Sequence, residues 1–194
     1  MRGMARTRSL VRWLMMPALR RGRAFARDDR GVTAIEFAIL ALPFFTIIAA
    51  ILETTLVFFA GQILDSAVQD AARLLRTGQA QNATYNASNF RTAICNGLFG
   101  MFNCANLRIK VSVVSNFSSA TTSYPLPTGG SCTPSSCDWT MSESYAPGVG
   151  GEVVLVQAYY KWPTIVHLPG FNLQDQPDGT RLLGAVRVFK NEPF

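Results

Sequence analysis

A chain of 194 residues is long enough for one domain with a core of its own, and its net charge of +6 invites a nucleic-acid reading. The distribution of charge excludes that reading: residues 1–31 hold nine Arg against Asp28 and Asp29, a net of +7, while residues 32–194 hold the other nine Lys and Arg against ten Asp and Glu, a net of −1. The basicity belongs to a leader, and the near-neutral remainder offers no basic face to a nucleic acid.

Residues 1–31 read as a basic cytoplasmic arm. Trp13-Leu14-Met15-Met16 is a short apolar patch stopped by Pro17, far below spanning length. Arg30-Gly31-Val32-Thr33-Ala34-Ile35-Glu36-Phe37 follows, and 16 residues, Phe37 to Leu52, separate Glu36 from the next charge, Glu53. Positive charge ahead of an apolar span stays on the cytoplasmic side, so the rest of the chain is expected outside. A cleaved secretory signal fits poorly. From Phe37 to Leu64 there are 28 residues with one charge, roughly twice an ordinary signal core, and Phe58-Phe59-Ala60 offers no small-x-small site at its end.

The apolar run predicts a helix over 37–64 that crosses the bilayer from Phe37 to about Leu56, since twenty residues at ~1.5 Å each match the ~30 Å hydrocarbon layer. Pro43 is tolerable inside such a span. Glu53 is expected near the outer interface, solvated by water, where a carboxylate costs less than at mid-bilayer. The helix should then continue. Ala60, Ile63, Leu64, Ala67, Val68, Ala71, Ala72, Leu74 and Leu75 recur at three- and four-residue steps, with Gln62, Asp65, Ser66, Gln69, Asp70, Arg73 and Arg76 on the other face. Gly78 is a candidate left-handed cap.

Beyond the helix, residues 79–89 read as a polar linker, and Ser88 or Asn89 as the cap of a short helix running to Phe99, with Phe90, Ile94 and Leu98 on one face. Leu107–Val113 alternates as a strand; Glu152–Trp162 and Arg181–Lys190 are two more. Residues 118–151 are a long loop, and Leu168-Pro169-Gly170 and Gln176-Pro177-Asp178-Gly179 are turns. The fold class is therefore α+β and membrane-anchored, a long helix packed on a small antiparallel sheet. The organisation is residues 1–31 leader, 32–78 spanning and amphipathic helix, and 79–194 an outer domain.

All four cysteines, Cys95, Cys104, Cys132 and Cys137, follow the span, an even count that reads as two disulfides in an oxidising compartment. Local pairing, Cys95–Cys104 and Cys132–Cys137, is favoured, with the other two connectivities left open. Zinc is the rival reading, disfavoured by a single His and by the spacings. No metal and no cofactor are expected. His167 reads as a turn or packing residue, Trp139, Tyr159, Tyr160 and Trp162 as core or subunit contact, and Gly148-Val149-Gly150-Gly151 as a loop that lacks the strand and helix of a phosphate site. No nucleophile with a local motif accompanies His167.

The order of these features (basic leader, glycine, glutamate five places on, long apolar segment) resembles a type IV prepilin-like signal, and more specifically the TadE-like family of tight-adherence (Flp) pilus assembly pseudopilins. Arg30-Gly31 through Phe37-Ala38, Leu42-Pro43, Glu53 and Ala71-Ala72-Arg73 match that family's N-terminal pattern, and the ending Ala185–Phe194 resembles that of many members. Thr54-Thr55 departs from it. The resemblance implies a pilin-like fold and cleavage after Gly31 by a membrane aspartyl prepilin peptidase. Val32 would become the new N-terminus and Glu36 its fifth residue, followed by Phe37. It also implies that Glu36 meets the free amine of a neighbouring subunit and fixes axial register. Two opposite charges entering low dielectric offset each other's desolvation only when paired. The implied partners are the prepilin peptidase, other pilins and pseudopilins, the pilus assembly membrane platform and the lipid bilayer. The protein would sit in a bacterial inner membrane with its C-terminal domain in the periplasm. The alternative is an uncleaved single-pass protein with a periplasmic binding or sensor domain, Glu36 then being an ordinary interfacial carboxylate.

Overall fold

The computed structural model describes residues 31–127, 132–133, 137–168 and 171–194. The leader through Arg30, the Trp13–Pro17 patch and the Pro169-Gly170 turn lie outside the described residues, as do parts of the 118–151 loop. The chain divides into two compact units, residues 1–48 and 49–194.

Helix α1 runs from Val32 to Arg76, 45 residues, and is continuous through Pro43. In the first unit its side chains stand exposed: Ile35, Phe37, Leu40, Leu42 and Phe45 are each 60% or more exposed. Among the described residues it is the one helix long and apolar enough to cross a membrane, and its most apolar stretch contains no buried residue.

In the second unit the helix changes character as its sequence does. Val57, Ala60, Leu64, Ala67, Val68, Ala71 and Leu75 form one buried stripe, while Gln62, Ser66, Gln69, Asp70, Arg73 and Arg76 stay exposed. Small alanines on the stripe let a sheet approach closely. The helix stops because Gly78 adopts a left-handed φ of 75°, with Thr77 N donating to the Arg73 carbonyl. The Phe194 ring lies directly over Gly78, where a Cβ would be 2.5 Å from it.

The linker read in the sequence is more ordered than its polarity implied. Gln79–Asn82 forms a short helix, α2, with Ala80 buried. Helix α3, Ala87–Asn96, is capped by Asn86 rather than by Ser88 or Asn89. Asn86 accepts from the Asn89 amide at 2.9 Å, and the Asn89 side chain accepts from the Asn86 amide at 3.2 Å. Two asparagines three apart make a reciprocal box, so Asn89 supports the first turn instead of starting it. The helix ends at Asn96, short of the expected Phe99; Phe90 and Ile94 are buried from it, and Leu98 is buried from the turn that follows.

The strands are β1 Arg108–Val114, β2 Ser144–Tyr145, β3 Val153–Pro163, β4 His167–Leu168, β5 Phe171–Asn172 and β6 Thr180–Lys190. The main sheet has the order β2-β1-β3-β6, and β4-β5 is a separate small pair. The three strands predicted from the sequence are the three long ones, and they pair antiparallel with β3 central. The sheet is nevertheless mixed, because β2 joins β1 in parallel through Lys110–Ser144 and Val111–Tyr145. Two residues carry no readable alternation, so this strand was not visible in the sequence.

Central position explains why β3 is buried from Val153 through Tyr160 without alternation. Val154, Val156, Ala158 and Tyr160 meet the α1 stripe and α3 in the core, flanked in register by Val111 and Ile109 on one side and Ala185 and Leu183 on the other. The opposite face carries Leu155, Gln157, Tyr159 and Lys161. There the loop returns: Lys161 donates to the Cys137 carbonyl, pairs with Asp178 at 3.0 Å and lies 5.5 Å above the Trp139 ring. Tyr160, Trp162 and Phe102 form an edge-to-face cluster, so these aromatics are core contacts. Both local disulfides are formed, Cys95–Cys104 and Cys132–Cys137.

The stripe, not the exposed apolar surface, should carry the stability of this unit. Leu64→Ala should cost about 2–5 kcal/mol. Phe58→Ala, at a site 68% exposed, should leave thermal unfolding followed by circular dichroism in detergent within about 0.5 kcal/mol of the parent. Equal losses from the two would contradict this division of α1.

Candidate functional site

At the start of α1 the fold asks nothing of Gly31. A Cβ built there meets no atom within 4 Å, and its φ lies outside the left-handed region. Among the described residues neither packing nor backbone conformation accounts for a glycine at this position. Val32 opens the helix and is 44% exposed; Glu36 sits one turn on, exposed, and Phe37 is 69% exposed. Val32 and Glu36 are four residues apart and so share a helix face. Among the described residues Glu36 has no hydrogen-bond or ion-pair partner.

Glu53 behaves differently, and here the expectation of a water-solvated interfacial carboxylate is corrected. It is 7% exposed. Its Oε1 accepts from the Ile165 amide at 2.5 Å and its Oε2 from the Val166 amide at 2.8 Å. The carboxylate projects from the same stripe as Val57 and Ala60 and ties the segment between β3 and β4 to the helix. Three-residue turns expose amides that a sheet ladder cannot reach, and an ionised acceptor is the strongest partner for two of them. Nothing in the local sequence at Glu53 signals this; the partner is more than 100 residues away. The neighbouring Thr54 and Thr55 return their hydroxyls to the Ala50 and Ile51 carbonyls, each at 2.8 Å, so they present no free polar group.

The family model described as TadE-like protein matches residues 31–73. This segment is TadE-like. The match begins at Gly31, takes in Glu36 and Glu53, and ends within the last turn of α1, consistent with a TadE-like protein of the tight-adherence pilus system. No curated protein and no solved structure matches the chain.

The outer unit carries two clefts, one of them lined in part by the end of the TadE-like segment. A cleft of about 450 Å³ is lined by Gln69, Asp70, Arg73 and Arg76 of α1 and by Arg187 and Phe189 of β6. Two of its arginines are already engaged, Arg187 with Asp65 and Arg76 with Glu192 at 3.4 Å. A smaller one of about 250 Å³ lies between α3 and β2, around Arg91, Glu143 and Tyr145. Glu143 is its structural centre. It accepts from Arg91 and from the Ile109 amide at 3.1 Å, and Arg108 lies 3.5 Å from its other oxygen. Placed one residue before β2, it fastens the returning loop to β1 and α3. Partial burial pushes the Glu143 carboxyl up, but the Ile109 amide and the two arginines outweigh this and hold it below its ordinary value of 4.5. Asp178 is likewise held low by Thr180 and Lys161 against the pull of burial.

His167 opens β4 rather than lying in a turn, with Nε2 3.3 Å from the Thr164 hydroxyl and Nδ1 3.2 Å from the Ile165 carbonyl. Among the described residues no group of three His, Cys, Asp or Glu is set to hold a metal. Asp175 and Asp178 serve the Gln176–Gly179 turn, donated to by Leu182 and Thr180 amides.

Two outcomes follow for these carboxylates. Glu53→Ala leaves two amides without acceptors and should cost about 2–4 kcal/mol, with Glu53→Gln intermediate because one acceptor survives. Hydrogen exchange should accelerate at Ile165 and Val166 before it does in β3; unchanged exchange there would refute the assignment. For Glu143 the depressed pKa means stabilisation that is complete above 4.5 and lost as pH falls through the lower folded value. Unfolding midpoints should therefore drop below about pH 4.5, less steeply in Glu143→Gln. An equally steep acid limb in that variant would assign the loss elsewhere, Asp178 being the next carboxylate to test.

Proposed function

We propose that this chain is a minor pseudopilin of a tight-adherence (Flp, type IVb) pilus assembly system, a structural subunit and peptidase substrate rather than an enzyme. The observation that carries the reading is the combination at the start of α1. A glycine that the fold does not need precedes a membrane-length helix, and an unpartnered glutamate stands one turn inside it, all within a TadE-like segment.

A protease working at the membrane face needs a residue that lets backbone enter its site, and Gly31 meets that need. Removal of residues 1–31 would leave Val32 as the N-terminus, with Glu36 and Phe37 completing the recognised stretch. The new ammonium and Glu36 lie on one face of the same helix, about one turn apart. Each is a charge that lipid would leave unsolvated. Stacking α1 helices so that one subunit's amine meets another's Glu36 satisfies both and sets the axial register. The partners are then a prepilin peptidase, other pilins and pseudopilins, the assembly platform and the bilayer. Residues 32–78 act as the spanning and packing helix, and residues 79–194 as a disulfide-bonded domain in the periplasm of an inner-membrane protein, contributing to pilus biogenesis and adherence.

The second reading, an uncleaved single-pass protein with a periplasmic binding domain, draws on the arginine-lined cleft between α1 and β6. N-terminal sequencing of the protein from native membranes, with and without the resident prepilin peptidase, separates the two. A start at Val32 is expected, lost without the peptidase and lost on Gly31→Leu. Glu36→Ala should leave processing intact and abolish incorporation into piliated fractions. An intact leader in both strains would sink the pseudopilin reading and favour the binding domain.

A further inference from the structure

We propose that the turn Thr164–Val166 is seated in the lipid interface of the bilayer that α1 crosses, with the Ile165 side chain inserted among the lipids. The inference rests on α1 being a membrane-crossing helix and does not depend on cleavage at Gly31. Within the outer unit, the apolar surface of α1 does not end at Glu53. Ile51, Leu52, Leu56, Phe58 and Phe59 are 49–68% exposed. The first exposed polar side chain not folded back on the helix is Gln62. At ~1.5 Å per residue, Glu53 lies about 13 Å nearer the membrane than Gln62. The turn bonded to Glu53 shares its level.

Three features of the turn fit lipid better than water. Ile165 is 82% exposed, the most exposed large apolar side chain in the described residues. The turn's amides are all taken up by the protein: those of Ile165 and Val166 go to Glu53, and the Ile165 carbonyl lies 3.2 Å from His167 Nδ1. The Thr164 amide and hydroxyl both go to the Gly179 carbonyl, at 3.4 and 2.7 Å. Internal satisfaction of this kind is what a non-helical segment needs where water is scarce. The exposed apolar residues around Glu53 also fan over roughly 160° of the helix at 100° per residue. One neighbouring protein covers a single side of a helix, whereas a bilayer covers every side that the sheet leaves open.

The four native cysteines are all in disulfides, so a single added thiol can carry a nitroxide. Ile165→Cys, Ile47→Cys and Val149→Cys would be labelled in the full chain, reconstituted in vesicles of phosphatidylethanolamine and phosphatidylglycerol. Collision with oxygen would be compared with collision with a water-soluble nickel chelate. The label at 165 should resemble that at 47, with oxygen favoured and nickel contact several-fold below that at 149. A label at 165 as open to nickel as the one at 149, while 47 remains in lipid, overturns the proposal and leaves the membrane helix standing. Protection at 165 that appears only at high protein-to-lipid ratio also overturns it, assigning the surface to a second copy. Nickel access at 47 removes the crossing helix and the proposal together. Each of these outcomes is independent of whether Val32 is the mature N-terminus.

Discussion

The structure depends on how one helix is covered. Toward its N-terminus α1 exposes apolar side chains, a surface that continues to Phe59; from Val57 to Leu75 a buried stripe runs along it and is covered within the outer unit. The covering sheet is built outward from β3, whose long run of buried residues is possible only because β1 and β6 flank it and both faces are occupied. Burying seven stripe residues of mostly small and medium size contributes far more than any of the surface ion pairs, most of them partly exposed. The chain's last residues lock the far end. Asn191 donates to the Pro147 and Val149 carbonyls, the Glu192 amide donates to the Arg76 carbonyl, and Phe194 covers Gly78. The end of the helix and the end of the chain are thus fixed by each other.

Two glutamates on the same helix show how environment separates roles. Glu53 is desolvated but satisfied within the chain, by two amides of a turn more than 100 residues away. Glu36 stands on exposed apolar surface with no partner in the described residues. A carboxylate of the first kind holds a fold together and has little left to offer another molecule. One of the second kind costs free energy in lipid until something positive reaches it, which is why it reads as a contact to be made rather than one already made.

The sequence was most legible where one physical requirement dominates. The period of the stripe from Ala60 to Leu75, the glycine stop at Gly78, the three long strands and the two local disulfides all appear as read. It was least legible where the deciding partner is remote or the element is short. Asn86 caps α3 because Asn89 reciprocates, a choice between neighbours that propensity alone does not make. Ser144–Tyr145 joins the sheet because Glu143 fastens the loop beside Arg91 and Arg108. Glu53 is buried because a distant turn presents two amides. In each case the local residues are compatible with several outcomes and a long-range contact selects one.

The TadE-like match stops where the helix does, and the physics of the two parts accounts for that boundary. Along α1 every residue answers to a surrounding of fixed character: a membrane of set thickness, a sheet of set spacing, a helix that tolerates few breaks. Residues 79–194 answer mainly to one another. A capping asparagine pair, an arginine pair around Glu143, a lysine over Trp139 and a stapled loop each close a local need that other side chains could close differently. Several side-chain choices could meet each of these needs, so no single residue pattern is required there. The information carried by the helix is therefore largely positional, and that carried by the outer unit is largely topological.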